Sequence, residues 1–372
     1  MIGDAVKKLV RRLSEKIESS GIGEPHFADH DYRPVNFHPE NFHGIDVTEN
    51  DRKMAFIDGG NRELVGAPNF SVQLNRVYFN IFKGKRRIRA TSLPKKIEFL
   101  SATVARFEND EVYYDTMLFP VSDRFIEFLP DPSDLSFNSF DRALMIGRAR
   151  ASVSRAASVA RRFAEWSFAR FIVEKELERG DVLVMDGTLR TSVKNESDYA
   201  LAAFAAAKSK GVIFSGLSKS SRLFTTTGVS LIGAVKWLAK QHGVEAPWYY
   251  HPVAISLNPP LKANIYIVML HPRAKRAYRY EIQAEQARDL SEKDLNEIFS
   301  QLSLNSSDPS LPGYPYGLID ADDNARVRKN ELETYRIMIL SEISSLGAWE
   351  KISRHIYAVD THSILNMLKE VI

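Results

Sequence analysis

Two segments of the chain share one pattern: four consecutive apolar residues, then aspartate, then glycine. They are Met54-Ala55-Phe56-Ile57-Asp58-Gly59 and Val182-Leu183-Val184-Met185-Asp186-Gly187. A third apolar run, Val212-Ile213-Phe214-Ser215-Gly216-Leu217-Ser218-Lys219, carries a polar tip. Short apolar runs bounded by turn signals read as strands buried on both faces. Between the first two lie segments that alternate apolar with polar, at Val72–Lys83, Lys96–Phe107 and Glu111–Phe119. They predict a strand meander, with Glu108, Asn109 and Asp110 turning the last hairpin. Helical periodicity predicts an amphipathic helix over 1–20, with Val6, Val10, Leu13 and Ile17 on one face. It also predicts a long Ala/Arg-rich helix from Phe140 to Glu178, opened by Ser139 and stopped by Gly180, and an Ala-rich helix over 198–209. Strand, helix and strand in succession from 182 to 219 point to parallel pairing through a crossover. Further strands are expected at Val253–Leu257 and Ile265–Leu270, then a turn-rich stretch at Ser306–Gly317 and a helical C-terminus. The expected class is α/β.

Composition narrows the chemistry. The 372 residues include no cysteine, which excludes disulfide scaffolds, thiolate metal sites and a thiol nucleophile. Any metal would be held by carboxylate or imidazole, favouring hard ions such as Mg²⁺ or Mn²⁺. No apolar run reaches the ~18 residues of a membrane span. The N-terminus, Met1-Ile2-Gly3-Asp4-Ala5-Val6-Lys7-Lys8, is charged where a signal peptide needs an apolar core. A cytoplasmic protein is expected. The net charge of +3 hides two acid-free basic runs. Lys83–Lys96 contains seven basic residues and Arg142–Arg162 six arginines. Each run alone is compatible with a solvated face; together they suggest a surface that meets a polyanion.

Open α/β sheets place reactive groups at the carboxyl ends of strands, where Asp58 and Asp186 stand. Each could instead cap a turn through backbone N–H groups. A pair of acids sharing metal would suit in-line displacement at phosphorus. Competing motifs fail: the Ser215–Ser220 stretch is not a P-loop, and no H-E-x-x-H, G-x-S-x-G or G-x-G-x-x-G occurs. Gly60 and Thr188 stand where an aspartyl phosphatase would need its second acid.

Taken in order, several short motifs resemble those of the NurA nucleases. They are Phe56-Ile57-Asp58-Gly59-Gly60, Glu165 within Arg161-Arg162-Phe163-Ala164-Glu165, and Val184-Met185-Asp186-Gly187-Thr188-Leu189. Leu217-Ser218-Lys219-Ser220-Ser221 and Gly313-Tyr314-Pro315-Tyr316-Gly317-Leu318-Ile319-Asp320-Ala321-Asp322 extend the similarity. The resemblance implies a ribonuclease H-like mixed sheet flanked by helices, with helical additions at both ends. The domains would be an N-terminal helix and loop at 1–50, a nuclease core at 51–330 and a helical segment at 331–372. It further implies a Mn²⁺-dependent 5′-to-3′ DNA exonuclease with single-strand endonuclease activity. The enzyme would be a homodimer and would partner a HerA-type hexameric translocase in DNA end processing.

By that resemblance Asp58, Glu165, Asp186 and Asp322 would hold two Mn²⁺ or Mg²⁺ ions. Glu174 or Glu178 are alternatives to Glu165, and Asp322 stands where family members carry histidine. Lys219 could contact phosphate oxygens or be a solvated lysine. Arg86 and Arg87, with Arg148, Arg155 and Arg162 at intervals of seven, are candidates to grip the DNA backbone. Tyr314 could stack on a base or pack in its loop. Asp360 and His362 offer a late ligand pair or a helix cap. A DNA-binding subunit without catalysis, and a nuclease for RNA or hybrids, are the competing functions.

Overall fold

The Met54–Asp58 run forms a buried strand, but the glycines do not end it. In the computed structural model, which describes residues 2–17, 21–257 and 261–356, strand β1 runs from Met54 to Ala67. Asp360 and His362 lie outside the described residues. Gly59 and Gly60 stay in the ladder opposite Val77 and Arg76 of β2 (Phe70–Lys83). Their lack of side chains serves close packing, described below, rather than a turn. The chain divides into two compact units, one of Arg52–Met185, Arg190–Phe214 and Tyr316–Ile372, the other of Met1–Asp51, Asp186–Leu189 and Ser215–Pro315.

In the larger unit, β3 (Arg86–Ile88) folds back on β2, and β4 (Lys96–Glu108) and β5 (Glu111–Pro120) continue the meander. The predicted hairpin forms, turned by Asn109 and Asp110 alone, both at positive φ (50° and 63°), with Glu108 still in the strand. β6 (Ser136–Asn138) closes that edge, and β7 (Val182–Asp186) lies on the other side of β1, parallel to it. The sheet is therefore mixed. β2 is covered on both faces and is buried almost throughout.

The predicted long helix is shorter and interrupted. Helix α1 (Val153–Ala157) and α2 (Val159–Glu176) meet at Ser158, and 141–150 is irregular. Gly147 at φ 62° and a bridge between Ile146 and Ala149 turn the chain there, and the Ser152 side chain caps α1 by accepting from Arg155 N. The core side of α2, including Phe163, Trp166, Phe168 and Ile172, is fully buried. Helix α3 (Glu196–Lys210) begins at a buried carboxylate. Glu196 accepts from Arg162 Nε, from Trp166 Nε1 at 3.1 Å, and from the backbone N–H groups of Ser192 and Val193 at 2.8 and 3.0 Å. The C-terminal part folds as α4 (Tyr316–Ala325), α5 (Lys329–Ser345) and α6 (Trp349–Ile356). Arg76, buried between Glu98 and Glu331, ties α5 to the sheet.

The smaller unit holds a run of antiparallel pairings in the order Phe42–Gly44, Trp248–Tyr250, Ala263–Met269, Tyr278–Gln283 and Ser215–Ser218. Trp248 and Tyr250 join a core with Leu231, Val235 and Leu238 of the Leu231–Gln241 helix, whereas Tyr249 stacks on Phe299. That is the two-residue alternation of a strand covered on both faces. The expected helix at the N-terminus spans Ile2–Ile17, and none of its residues is buried. No described helix is long and apolar enough to cross a membrane.

His251 of this unit is stacked on Tyr266, with Nδ1 3.1 Å from Ile265 O. Burial, together with nearby His43, holds its pKa below the ordinary 6.5. Folding thus favours neutral His251, so its contribution is intact above about pH 6.5 and is lost as acidification protonates the unfolded chain first. The urea midpoint, followed by Trp248 fluorescence, should fall from pH 7.5 to 5.5, with a shallower fall in His251→Phe. Equal slopes in both proteins would remove His251 as the cause.

Candidate metal centre

The two aspartates are set side by side by strand pairing alone. β7 runs parallel to β1 with Val182 opposite Met54 and Met185 opposite Ile57, so the next residues are Asp186 and Asp58. Fully buried Phe56, Ile57 and Val184 anchor both strands up to that point. Asp58 Oδ1 accepts from Gly59 N at 2.7 Å. The third acid, Asp322, comes from α4. One carboxylate oxygen from each of Asp58, Asp186 and Asp322 lies within 4.8 Å of the others.

Glycines make this approach possible. A Cβ on Gly60 would overlap the Ala325 carbonyl of α4, and one on Gly317 would overlap the Phe56 ring. A Cβ on Gly59 would strike the Glu165 carboxylate and the Arg161 side chain of α2. At Gly60, α4 therefore rests on the strand backbone itself, whereas the Glu165 and Arg161 side chains fill the space over Gly59 and the Phe56 ring fills that at Gly317.

Three carboxylates so close repel one another, and cations reduce that cost. Lys219 Nζ lies 2.6 Å from Asp186, and Arg326 Nη2 lies 2.7 Å from Asp322. The donors are all oxygen, anionic and partly exposed, a set matched to a hard divalent ion.

The other expected residues divide. Glu165 is 8% exposed, paired with Arg161 at 2.6 Å and seated against Gly59; it is not one of the three clustered acids. Glu174 pairs instead with Arg170. Arg86 and Arg155 are exposed, and so is Arg148, but Arg148 lies in the irregular 141–150 segment. The seven-residue arginine stripe does not form, because the turn at Gly147 precedes the helix. Arg162 turns inward to Glu196 and the Arg190 carbonyl, and Arg87 pairs with Asp320 at 2.7 Å. Tyr314 is 3% exposed and edge-on to Tyr278, so it packs its loop and offers no open face for a base. The partners Arg161 and Arg326 were overlooked in the sequence, although each stands four residues from its acid, the spacing that joins side chains on one helix face.

A mixed sheet covered by helices, with acids gathered where the parallel pairing of two strands ends, is the arrangement of ribonuclease H-like proteins. Residues 52–327, most of the chain, match the NurA domain. The chain belongs to the NurA family. The NurA nuclease from Sulfolobus solfataricus has a similar structure, with a TM-score of 0.52 at 13% identity over 92% of this chain and 97% of that one. Endonuclease V of Ciona intestinalis, solved with a 24mer DNA, gives a TM-score of 0.36 at 9% identity, over 89% of this chain and 99% of that one. No curated protein sequence matches the chain.

Proposed function

We propose that this protein is a metal-dependent DNA nuclease, acting as a 5′-to-3′ exonuclease and a single-strand endonuclease. The observation that carries this reading is the group formed by Asp58, Asp186 and Asp322 on a NurA fold. These three residues, with Glu165 beside Gly59, would hold Mn²⁺ or Mg²⁺, in all two ions. When bound, such ions supply Lewis-acid stabilisation of the phosphate and a water of lowered pKa. Lys219 contributes an ammonium next to Asp186, where a non-bridging phosphate oxygen can meet it. Exposed Arg86, Arg148 and Arg155 supply contacts to the DNA backbone that do not depend on sequence and weaken with salt. Homodimerisation and service to a HerA-type hexameric translocase during end processing complete the proposal, by family resemblance.

The test uses linear DNA labelled at one end or the other, alongside matched RNA and hybrid. With Mn²⁺ the 5′ label should be released first, and EDTA should stop the reaction. Binding of DNA without cleavage in Mn²⁺ or Mg²⁺ would make the protein a DNA-binding subunit instead. Equal or faster cutting of RNA would overturn the assigned substrate.

A further inference from the structure

Arg87 belongs to the acid-free basic run Lys83–Lys96, and its guanidinium turns onto helix α4. Its Nη2 lies 2.7 Å from Asp320 Oδ1, and its Nη1 donates to Tyr78 Oη at 3.2 Å. The other oxygen of Asp320 accepts from Asn80 Nδ2 at 2.8 Å and from Tyr78 at 3.3 Å. Asn80 Nδ2 also donates to the Gly317 carbonyl at 2.8 Å. The Asp320 side chain is only 14% exposed, so these bonds replace most of its hydration.

Asp320 stands two residues before Asp322 on the same ten-residue helix. Packing holds the two ends of that helix, through Gly317 against Phe56 and Ala325 against Gly60. Such apolar and backbone contacts fix its distance from the sheet but resist rotation about its own axis weakly. Directional bonds to Asp320 set that rotation, and the rotation decides where the Asp322 carboxylate points. Arg86 and Arg87 are neighbours on β3, and successive strand residues face opposite ways. One short strand thus leaves Arg86 to solvent and turns Arg87, itself 38% exposed, onto Asp320.

We propose that Arg87 is a positioning residue: with Asp320 and Asn80 it holds α4 in the rotation that brings Asp322 to Asp58 and Asp186 for a divalent ion. The inference rests on the metal-nuclease reading. Partners that orient metal ligands typically change metal affinity by roughly 10- to 100-fold when removed.

The experiment compares full-length wild type with Arg87→Ala, Arg87→Lys, Asp320→Asn and Arg86→Ala. Mn²⁺ binding is measured by titration calorimetry without DNA, and kcat and KM are measured on labelled DNA. Arg87→Ala and Asp320→Asn should each weaken Mn²⁺ binding by about 10-fold or more, leaving KM for DNA unchanged. Arg87→Lys should recover part of the affinity. Arg86→Ala should raise KM without changing Mn²⁺ affinity. A raised KM with normal Mn²⁺ affinity in Arg87→Ala would make Arg87 a DNA contact and overturn the proposal. Unchanged values in both measurements would do the same. Should Arg87→Ala fail to fold, Asp320→Asn and Arg87→Lys carry the comparison. Wild type that binds Mn²⁺ but never cuts DNA would end the nuclease reading, while the calorimetric comparison would still decide the role of Arg87.

Discussion

Asp58→Ala is expected to lower DNA cleavage by roughly 10³-fold, about 4 kcal/mol of transition-state stabilisation. Asp58 supplies one of three carboxylate oxygens that lie within 4.8 Å of one another, so its loss would leave a divalent ion only two of those acids. The effect should appear in kcat, with little change in DNA binding, because the phosphate grip is assigned to basic residues elsewhere. Asp186→Ala should behave alike, and the double variant should be little worse than either single one, as residues that act as a unit are not additive. Stability offers a control. Removing one of three mutually repelling carboxylates should leave the melting temperature in EDTA unchanged or slightly raised. Activity that survives in a folded Asp58→Ala would exclude this cluster as the catalytic centre.

The largest stability effect is expected at Glu196, far along the chain from those acids. Its side chain is fully buried and collects donors from Arg162, Trp166, Ser192 and Val193. Glu196→Ala would leave the buried Trp166 N–H and the part-buried Ser192 and Val193 N–H groups without their acceptor, beside an Arg162 side chain that is 35% exposed. Orphaned buried donors typically cost about 1–3 kcal/mol each, and the unpaired Arg162 charge adds less because water reaches it. Denaturant unfolding should show the loss as a lowered midpoint. Double substitution with Arg162→Met should recover part of it, since the stranded charge is then gone. A cost under about 1 kcal/mol would mean that water replaces the carboxylate freely.

The elements around Asp58 and Asp186 were legible because buried parallel strands leave an unmistakable trace: apolar on both faces, then one charged residue. The β4–β5 hairpin was equally plain from Asn109 and Asp110. The helix beginning at Val153 was misjudged because alanine and arginine favour helix wherever they occur, and a single glycine at 147 outweighs them only in its tertiary setting. The Trp248–Tyr250 strand was hidden by its three-residue length and by the prolines at 247 and 252. In the site, Asp58, Asp186 and Asp322 could be named by motif and are brought together. The roles of Arg87, Arg162 and Tyr314 could not be read that way. Whether a basic or aromatic side chain faces outward depends on partners distant in sequence, here Asp320, Glu196 and Tyr278.

The order in which the three acids are synthesised bears on how their cluster assembles. Asp58 comes first, Asp186 second and Asp322 last of the three, and α4 must then settle onto bare strand backbone at Gly60. Contacts so distant in sequence form late. Asp58 and Asp186 can thus be paired by the sheet before Asp322 joins them. The acids become a cluster only once α4 has been made and has docked, so their proximity reports on the fold as a whole.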